Sequence, residues 1–320
     1  MTCHDIDDYV EVSSSMNKNQ ETIQRTLAII SLIASLSVVF ILSLRYKKLV
    51  EDKPFIYYLY MIAISDSGVS FAFSFGFQKQ GPVCSMQGFL FMLFGRSSWL
   101  FTLALIFQLY YIAIHLKVYL SNRFSFRLIW TISLVSNLIP LAFQTWYGVP
   151  SNVEGVESCF YNGKNREVFI FIWAAEQTIV FAIILAFTIR IIIHAFLQHK
   201  KSLTVQNVAL IPISKYVRNT MVLYPLSMLF TWSPNILYIL NYLHNCLTLA
   251  HPVYYGNYVN MLVPLYGFFL AIIFYIRTKD GRAEWILLIK SLLSCTKTIN
   301  NGDSVSGSVD LSPMQTNDFI

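Results

Sequence analysis

Charge is scarce in this chain. Asp, Glu, Lys and Arg make up 12% of its 320 residues, against roughly one-quarter in an average soluble domain. So little charge cannot cover a globular surface, which excludes soluble enzymes, soluble nucleic-acid binders and disordered scaffolds. Other absences narrow the reading. Met1–Arg25 is polar and acidic and holds no apolar signal-peptide core, so the first apolar block is expected to act as its own insertion signal. No Asn-x-Ser/Thr sequon occurs, so N-glycosylation is not expected. His4, His115, His194, His199, His244 and His251 all fall at block ends or in the separators, which argues against a hydrolase with metal ligands facing one another across spans. No metal and no cofactor are expected.

What is abundant is hydrophobicity, at 55% of residues with a mean hydropathy of +0.54. It is gathered into blocks divided by short polar separators. A bilayer core of roughly 30 Å takes a helix of about 20 apolar residues. Seven blocks qualify: Thr26–Leu44, Phe55–Phe77, Gln87–Ile114, Leu128–Trp146, Phe169–Ala195, Thr220–Leu240 and Tyr258–Ile276. The expected fold is therefore an all-α membrane protein, a bundle of seven spans. Alternate separators hold 17 basic residues on one side, and only Lys18, Arg25, Lys79, Lys164 and Arg166 on the other. Basic loops stay in the cytoplasm, which puts the N-terminus outside and the C-terminus inside, as an odd number of spans requires. The net charge of +6 is membrane topology rather than a nucleic-acid footprint. Residues 1–25 are then an extracellular N-terminus and 26–276 the seven-span domain, at the plasma membrane among its lipids.

Cys84 falls just outside the third span and Cys159 in the second outer loop, Tyr147–Val168, both on the oxidising side. A bridge between them clamps that loop over the third helix; two free thiols are the alternative. Cys3 and Cys246 are a second possible pair, and connectivity does not follow from sequence. Within 277–295, Trp285, Leu288, Ile289, Leu292 and Leu293 share one helix face, which predicts a short amphipathic eighth helix along the inner leaflet. Cys295 at its end is a candidate for S-palmitoylation or a plain thiol. The Ser- and Thr-rich residues 296–320 are expected to be a disordered cytoplasmic tail open to phosphorylation.

Ionisable side chains inside spans are costly and usually face the bundle interior. Asp66 and Arg96 both fall near the midplane at about 1.5 Å of rise per residue, so an Asp66–Arg96 ion pair is expected to be geometrically possible, as a structural tie or as part of a polar cavity. Glu176, in the outer third of the fifth span, reads as lining a cavity. Pro140, Pro225, Pro234 and Pro264 each remove a backbone hydrogen bond within a span. The sixth span is expected to bend on both sides of Trp232, at Pro225 and Pro234, which suits a swinging motion; static packing is the bland alternative.

These features carry a resemblance. Seven spans with the N-terminus outside, a Cys atop the third, a Cys in the second outer loop and an amphipathic eighth helix look like a G-protein-coupled receptor. The runs Cys84–Leu90, Phe94–Thr102 (Phe-Gly-Arg-Ser-Ser-Trp-Leu-Phe-Thr) and Gln108–Tyr111 resemble the third helix of the cAMP-receptor-like group found in slime moulds, which is similar there to secretin-type receptors. Ser65–Ser67, Leu223–Pro225 and Trp232–Pro234 fit the same group. Departures are also present. There is no Asp/Glu-Arg-Tyr at the inner end of the third span and no Asn-Pro-x-x-Tyr in the seventh, the N-terminus is too short for a hormone-binding domain, and Arg96 stands where the group usually has a small or apolar residue.

The resemblance implies no enzyme but a two-state receptor for an extracellular small molecule or peptide. Arg96, Trp99, Trp173, Glu176 and Trp232 are the candidate ligand-facing residues, and Asp66, Pro225 and Pro234 the candidate switch elements. Arg123, Arg127, Lys201, Lys215 and Arg218 form the candidate face for a heterotrimeric G protein. A retinal-binding pump would need a lysine in the seventh span, and Tyr258–Ile276 has none. A seven-span carrier or a non-signalling membrane protein is the remaining alternative.

Overall fold

The computed structural model describes residues 18–52, 54–76, 82–115, 122–142, 145–150, 159–163, 166–202, 222–248, 262–277 and residue 286. Packing divides the chain after Thr278, and of the following unit only Ile286 is described. The eighth helix, Cys295 and the tail therefore lie outside the described residues, as do Cys3, Lys215 and Arg218; so do the side chains of Cys159, Lys201 and Cys246.

Seven α-helices run through the described residues of the first unit: α1 (Lys18–Asp52), α2 (Pro54–Ser74), α3 (Pro82–His115), α4 (Asn122–Ala142), α5 (Arg166–Ser202), α6 (Leu223–Thr248) and α7 (Tyr266–Arg277), the last entered through a 3-10 turn at Val263–Leu265. The protein is a seven-helix membrane bundle. α1 packs on α2 and α7, α2 on α3, α5 on α6, and α6 on α7, while α3 runs through the middle and touches α2, α4, α5 and α6. Between α4 and α5 the chain forms an antiparallel hairpin, β1 (Thr145–Pro150) with β2 (Cys159–Gly163), both strands against α3. This differs from the expected end of the fourth span at Trp146. With Pro140 in its last turn the helix stops at Ala142, and the aromatic and β-branched run Thr145–Val149 suits a strand.

Thr22–Leu44, Ile56–Ser74, Pro82–Ile112 and Val168–His194 are long and apolar enough to cross a bilayer by themselves. α4 carries Arg123 and Arg127 in its first turns and Asn137 deep in its length, and Val263–Ile276 is shorter than a full span. The bundle is apolar outside and partly polar inside. Ile29, Ile33, Phe40, Leu134, Leu138, Ile179 and Phe230 are exposed, whereas Ser65, Asp66, Arg96, Ser98, Thr102, Gln108, Asn137 and Gln177 are buried. That inversion fits lipid on the outer face.

Without water, a helix must satisfy its own polar groups. Hydroxyls do so by folding back one turn: Ser65 donates to the Met61 carbonyl at 2.9 Å, Thr102 to Ser98 at 2.8 Å and Thr188 to Ile184 at 2.7 Å. At the end of α2 the amide of Gln87, from α3, donates to the carbonyls of Ala72 at 3.0 Å and Gly76 at 2.8 Å. Gly76 itself has φ 70°, the left-handed turn in which helices commonly end. The serine side chains of α1 reach the backbone of α7 at Gly267: a Cβ there would run into Ser35 Oγ and sit 2.9 Å from Ser31 Oγ. Ser31 Oγ in turn accepts the Phe268 N–H, in the first turn of α7, at 3.1 Å.

Candidate functional site

The five residues read as ligand-facing are drawn from three helices, Arg96 and Trp99 from α3, Trp173 and Glu176 from α5, and Trp232 from α6, and the fold brings them into one cluster. The Trp99 ring lies 5.4 Å from that of Trp173 and 5.0 Å, edge to face at 87°, from that of Trp232. Phe91, about two helical turns before Trp99, stacks on Trp232 at 6.2 Å and 10° and reaches Trp173 at 6.4 Å. Phe181 closes the lower side against Trp99 at 6.2 Å. All three indoles are fully buried. α6 can approach this closely because position 95 is glycine: a Cβ there would stand 3.2 Å from Trp232 Cη2, tighter than side chains normally pack.

Arg96 completes the cluster on the α4 and α5 side. Its Nε donates to both carboxylate oxygens of Glu176, at 3.0 and 2.9 Å, and its Nη1 to Asn137 Oδ1 at 2.8 Å. Asn137 is fixed by its own bond to the Ser133 carbonyl at 2.8 Å. The Arg96 side chain is 3% exposed and that of Glu176 26%. The expected Asp66–Arg96 pairing is therefore corrected. Asp66 accepts a hydrogen bond from Ser98 Oγ at 2.8 Å, and Arg96 and Ser98, two residues apart, point about 200° from each other around α3. Asp66 faces α2's own neighbours, and Arg96 faces α4 and α5. Thr102, one turn below Ser98, meets the Tyr266 hydroxyl of α7 at 3.4 Å, so the Asp66 side of α3 is joined to α7.

Several buried polar atoms have no hydrogen-bond partner among the described residues: Trp99 Nε1, Trp232 Nε1, both amide atoms of Gln177 and Asp66 Oδ2. Of these, Trp99 Nε1 and Trp232 Nε1 belong to the cluster.

The two candidate hinge prolines differ. Pro234 lies inside α6 and removes an interior hydrogen bond. Pro225 is the third residue of the helix, where a missing N–H costs nothing, so the bend expected there is replaced by an ordinary helix start. Pro264 likewise sits in the 3-10 turn that leads into α7 rather than within it. Arg123 and Arg127 are exposed in the first turns of α4. Sequence reading missed Asn137, Ser98, Phe91 and Gln177. An amide in the middle of an otherwise apolar span was the available signal for Asn137 and Gln177.

In fold, the chain is similar to squid rhodopsin, with a TM-score of 0.61 and 15% sequence identity over 91% of this chain and 92% of that one. No family model matches the sequence, and no curated protein is similar to it in sequence. The likeness is one of fold.

Proposed function

We propose that the chain is a G-protein-coupled receptor in which a ligand held among α3, α5 and α6 shifts the population between two arrangements of the bundle. The observation that carries this reading is the contact of Trp99, Trp173 and Trp232, which ties three helices at one point, with α6 close against Gly95 and Pro234 inside the helix two residues beyond Trp232. A group that displaces Trp232 moves α6. Its inner end, with Lys215 and Arg218 in the preceding segment and Arg123, Arg127 and Lys201 on the neighbouring helices, is the proposed contact for a heterotrimeric G protein. The likeness in fold to squid rhodopsin supports a receptor-type bundle, and the runs in α2, α3 and α6 favour the cAMP-receptor-like group over other receptor classes. α7 has no lysine for a Schiff-base chromophore.

The orientation belongs to the same proposal: N-terminus outside, C-terminus in the cytoplasm, with the β1–β2 hairpin on the outer side. Cys84 at the start of α3 is buried and disulfide-bonded, and Cys159 opens β2, which lies against α3. Both facts support Cys84 and Cys159 as partners that pin the hairpin over the cluster.

The experiment is recruitment of a panel of engineered Gα mini-proteins to the full-length protein at the cell surface, basally and with nucleotides, amines, lipids and peptides. Recruitment that is altered by Trp232→Ala and lost with Arg218→Glu, at preserved surface expression, is the expected result. Silence across the panel with the protein at the surface refutes the receptor reading.

A further inference from the structure

α4 and α5 each pack along α3 but, among the described residues, make no extended contact with one another. The groove between them has α3 as its floor, and on that floor lies Arg96, bonded to Asn137 of α4 on one side and Glu176 of α5 on the other. On the outer side, β1 rests on α4, β2 on α5 and both on α3, so the hairpin roofs the groove. The groove's open side is lateral. Glu176 shows in which direction it opens. It stands in the row Ile172, Glu176, Ile179, Ile183, spaced i, i+4, i+7, i+11 along one face of α5, and those isoleucines are 50%, 60% and 37% exposed. That face is turned to the bilayer. Arg96 meets this carboxylate from the bundle side, while its 26% exposure leaves part of it facing the groove.

We propose that this groove is a lateral, membrane-facing binding site for a single-chain lipid amine, which enters between α4 and α5 and places its ammonium on Glu176. The placement deepens the receptor reading and rests on it for its functional consequence. The choice of an amine follows from which charge is reachable. Arg96 is 3% exposed and lies behind the carboxylate, so an incoming head group meets negative charge first. An ionised carboxylate offers about four lone-pair sites, and the Arg96 Nε bonds take one on each oxygen, leaving acceptors for a second donor. At low dielectric such a contact is strong. The chain of the ligand then lies against Ile172, Ile179 and Leu138, already a lipid-exposed surface. Drawing Glu176 toward the ligand loosens its hold on Arg96, one turn from Trp99 and adjacent to Gly95, where α6 is seated.

The test uses the full chain in phosphatidylcholine nanodiscs with tritiated octadecylamine, subtracting uptake by empty discs. Saturable binding is expected, displaced by unlabelled octadecylamine and not by octadecanoic acid or butylamine. Glu176→Gln should weaken it by about ten-fold or more. Ile179→Trp, which fills the mouth of the groove from a position 60% exposed and leaves the ion pair and the core intact, should weaken it as well, with folding checked by an unchanged Tm. Equal displacement by the acid, binding unchanged in both variants, or no saturable component overturns the proposal. Gα recruitment is scored on the same preparations. Amine binding with a silent panel supports the groove and refutes the receptor reading; recruitment without amine binding overturns the groove alone.

Discussion

The Arg96–Glu176 pair allows a sharp prediction, because the sequence offered Asp66 as the partner of Arg96 and the structure pairs it with Glu176 instead. Arg96 is almost wholly buried and Glu176 about a quarter open. Breaking a fully buried pair by removing one partner costs about 3–5 kcal/mol, and a solvent-exposed pair is worth about 1 kcal/mol or less. Arg96 keeps its bond to Asn137 when Glu176 is lost, so Glu176→Leu should cost ~2–3 kcal/mol. At about 2–4 °C per kcal/mol for a domain of this size, the apparent Tm should fall by ~4–12 °C. Removing both charges, Arg96→Leu with Glu176→Leu, leaves no orphaned ion, and buried pairs replaced by apolar groups are often neutral; most of the loss should return. The assay is a double-mutant cycle on unfolding of the protein in nanodiscs, run in parallel for Arg96 with Asp66→Asn. Coupling of ~2 kcal/mol is expected for Arg96 with Glu176, and below ~0.5 kcal/mol for Arg96 with Asp66, whose carboxylate is held by Ser98 on the opposite side of α3. A larger coupling to Asp66, or none to Glu176, refutes the geometry.

Three further outcomes follow from close contacts. Gly267→Ala drives a methyl into Ser35 Oγ and Ser31 Oγ and should destabilise the α1–α7 contact by about 1–3 kcal/mol; combining it with Ser35→Ala should restore part of the lost Tm, and no restoration would place the strain elsewhere. Gln87→Ala removes both side-chain bonds that cap α2, leaves two carbonyls without those donors, and should cost about 1–3 kcal/mol, read as lower Tm and faster hydrogen exchange at Ala72–Gly76; unchanged exchange there would contradict the cap. Gly95→Ala needs Trp232 to move by only a few tenths of an ångström, so the fold should survive with basal Gα recruitment changed, whereas Gly267→Ala should lower surface expression and recruitment together.

The bundle itself was legible from the sequence because its signal is coarse: seven apolar blocks of about the right length, and basic separators on alternate sides. The candidate cluster was legible because large aromatics and ions inside spans are rare enough to notice one at a time, and Arg96, Trp99, Trp173, Glu176 and Trp232 do meet. Their pairing was not legible. Depth along a helix follows from residue count, and by depth Asp66, near the midplane like Arg96, was the expected partner while Glu176, in the outer third of its span, was not; direction around α3 decides, and that depends on how α3 is rotated against its neighbours. Boundaries failed for a related reason. The fourth apolar block was read on to Trp146 across the polar Gln144 and Thr145, whereas α4 stops at Ala142, two residues past Pro140, and Pro225 has one meaning within a helix and another in its first turn.

Five consecutive residues of α3 show why such a rotation has consequences. Gly95 seats Trp232 of α6, Arg96 reaches α4 and α5, Ser98 holds Asp66 of α2, and Trp99 touches Trp173 of α5 and Trp232 of α6. Less than two turns of one helix therefore contact four others, by contacts of different chemistry. The ion pair is directional and strong at low dielectric, the Ser98–Asp66 bond is short and buried, and the indole contacts tolerate sliding because stacked and edge-on arrangements are close in energy. A small rotation of α3 that relaxes Arg96 thus has its cheapest response at the indoles, which places the yielding element at α6 rather than at α2. Cross-linking α3 to α2 should leave any ligand response intact, and cross-linking α3 to α6 through Gly95 and Trp232 should abolish it. The reverse order would mean that the Asp66 side of the bundle, not the tryptophan side, carries the motion.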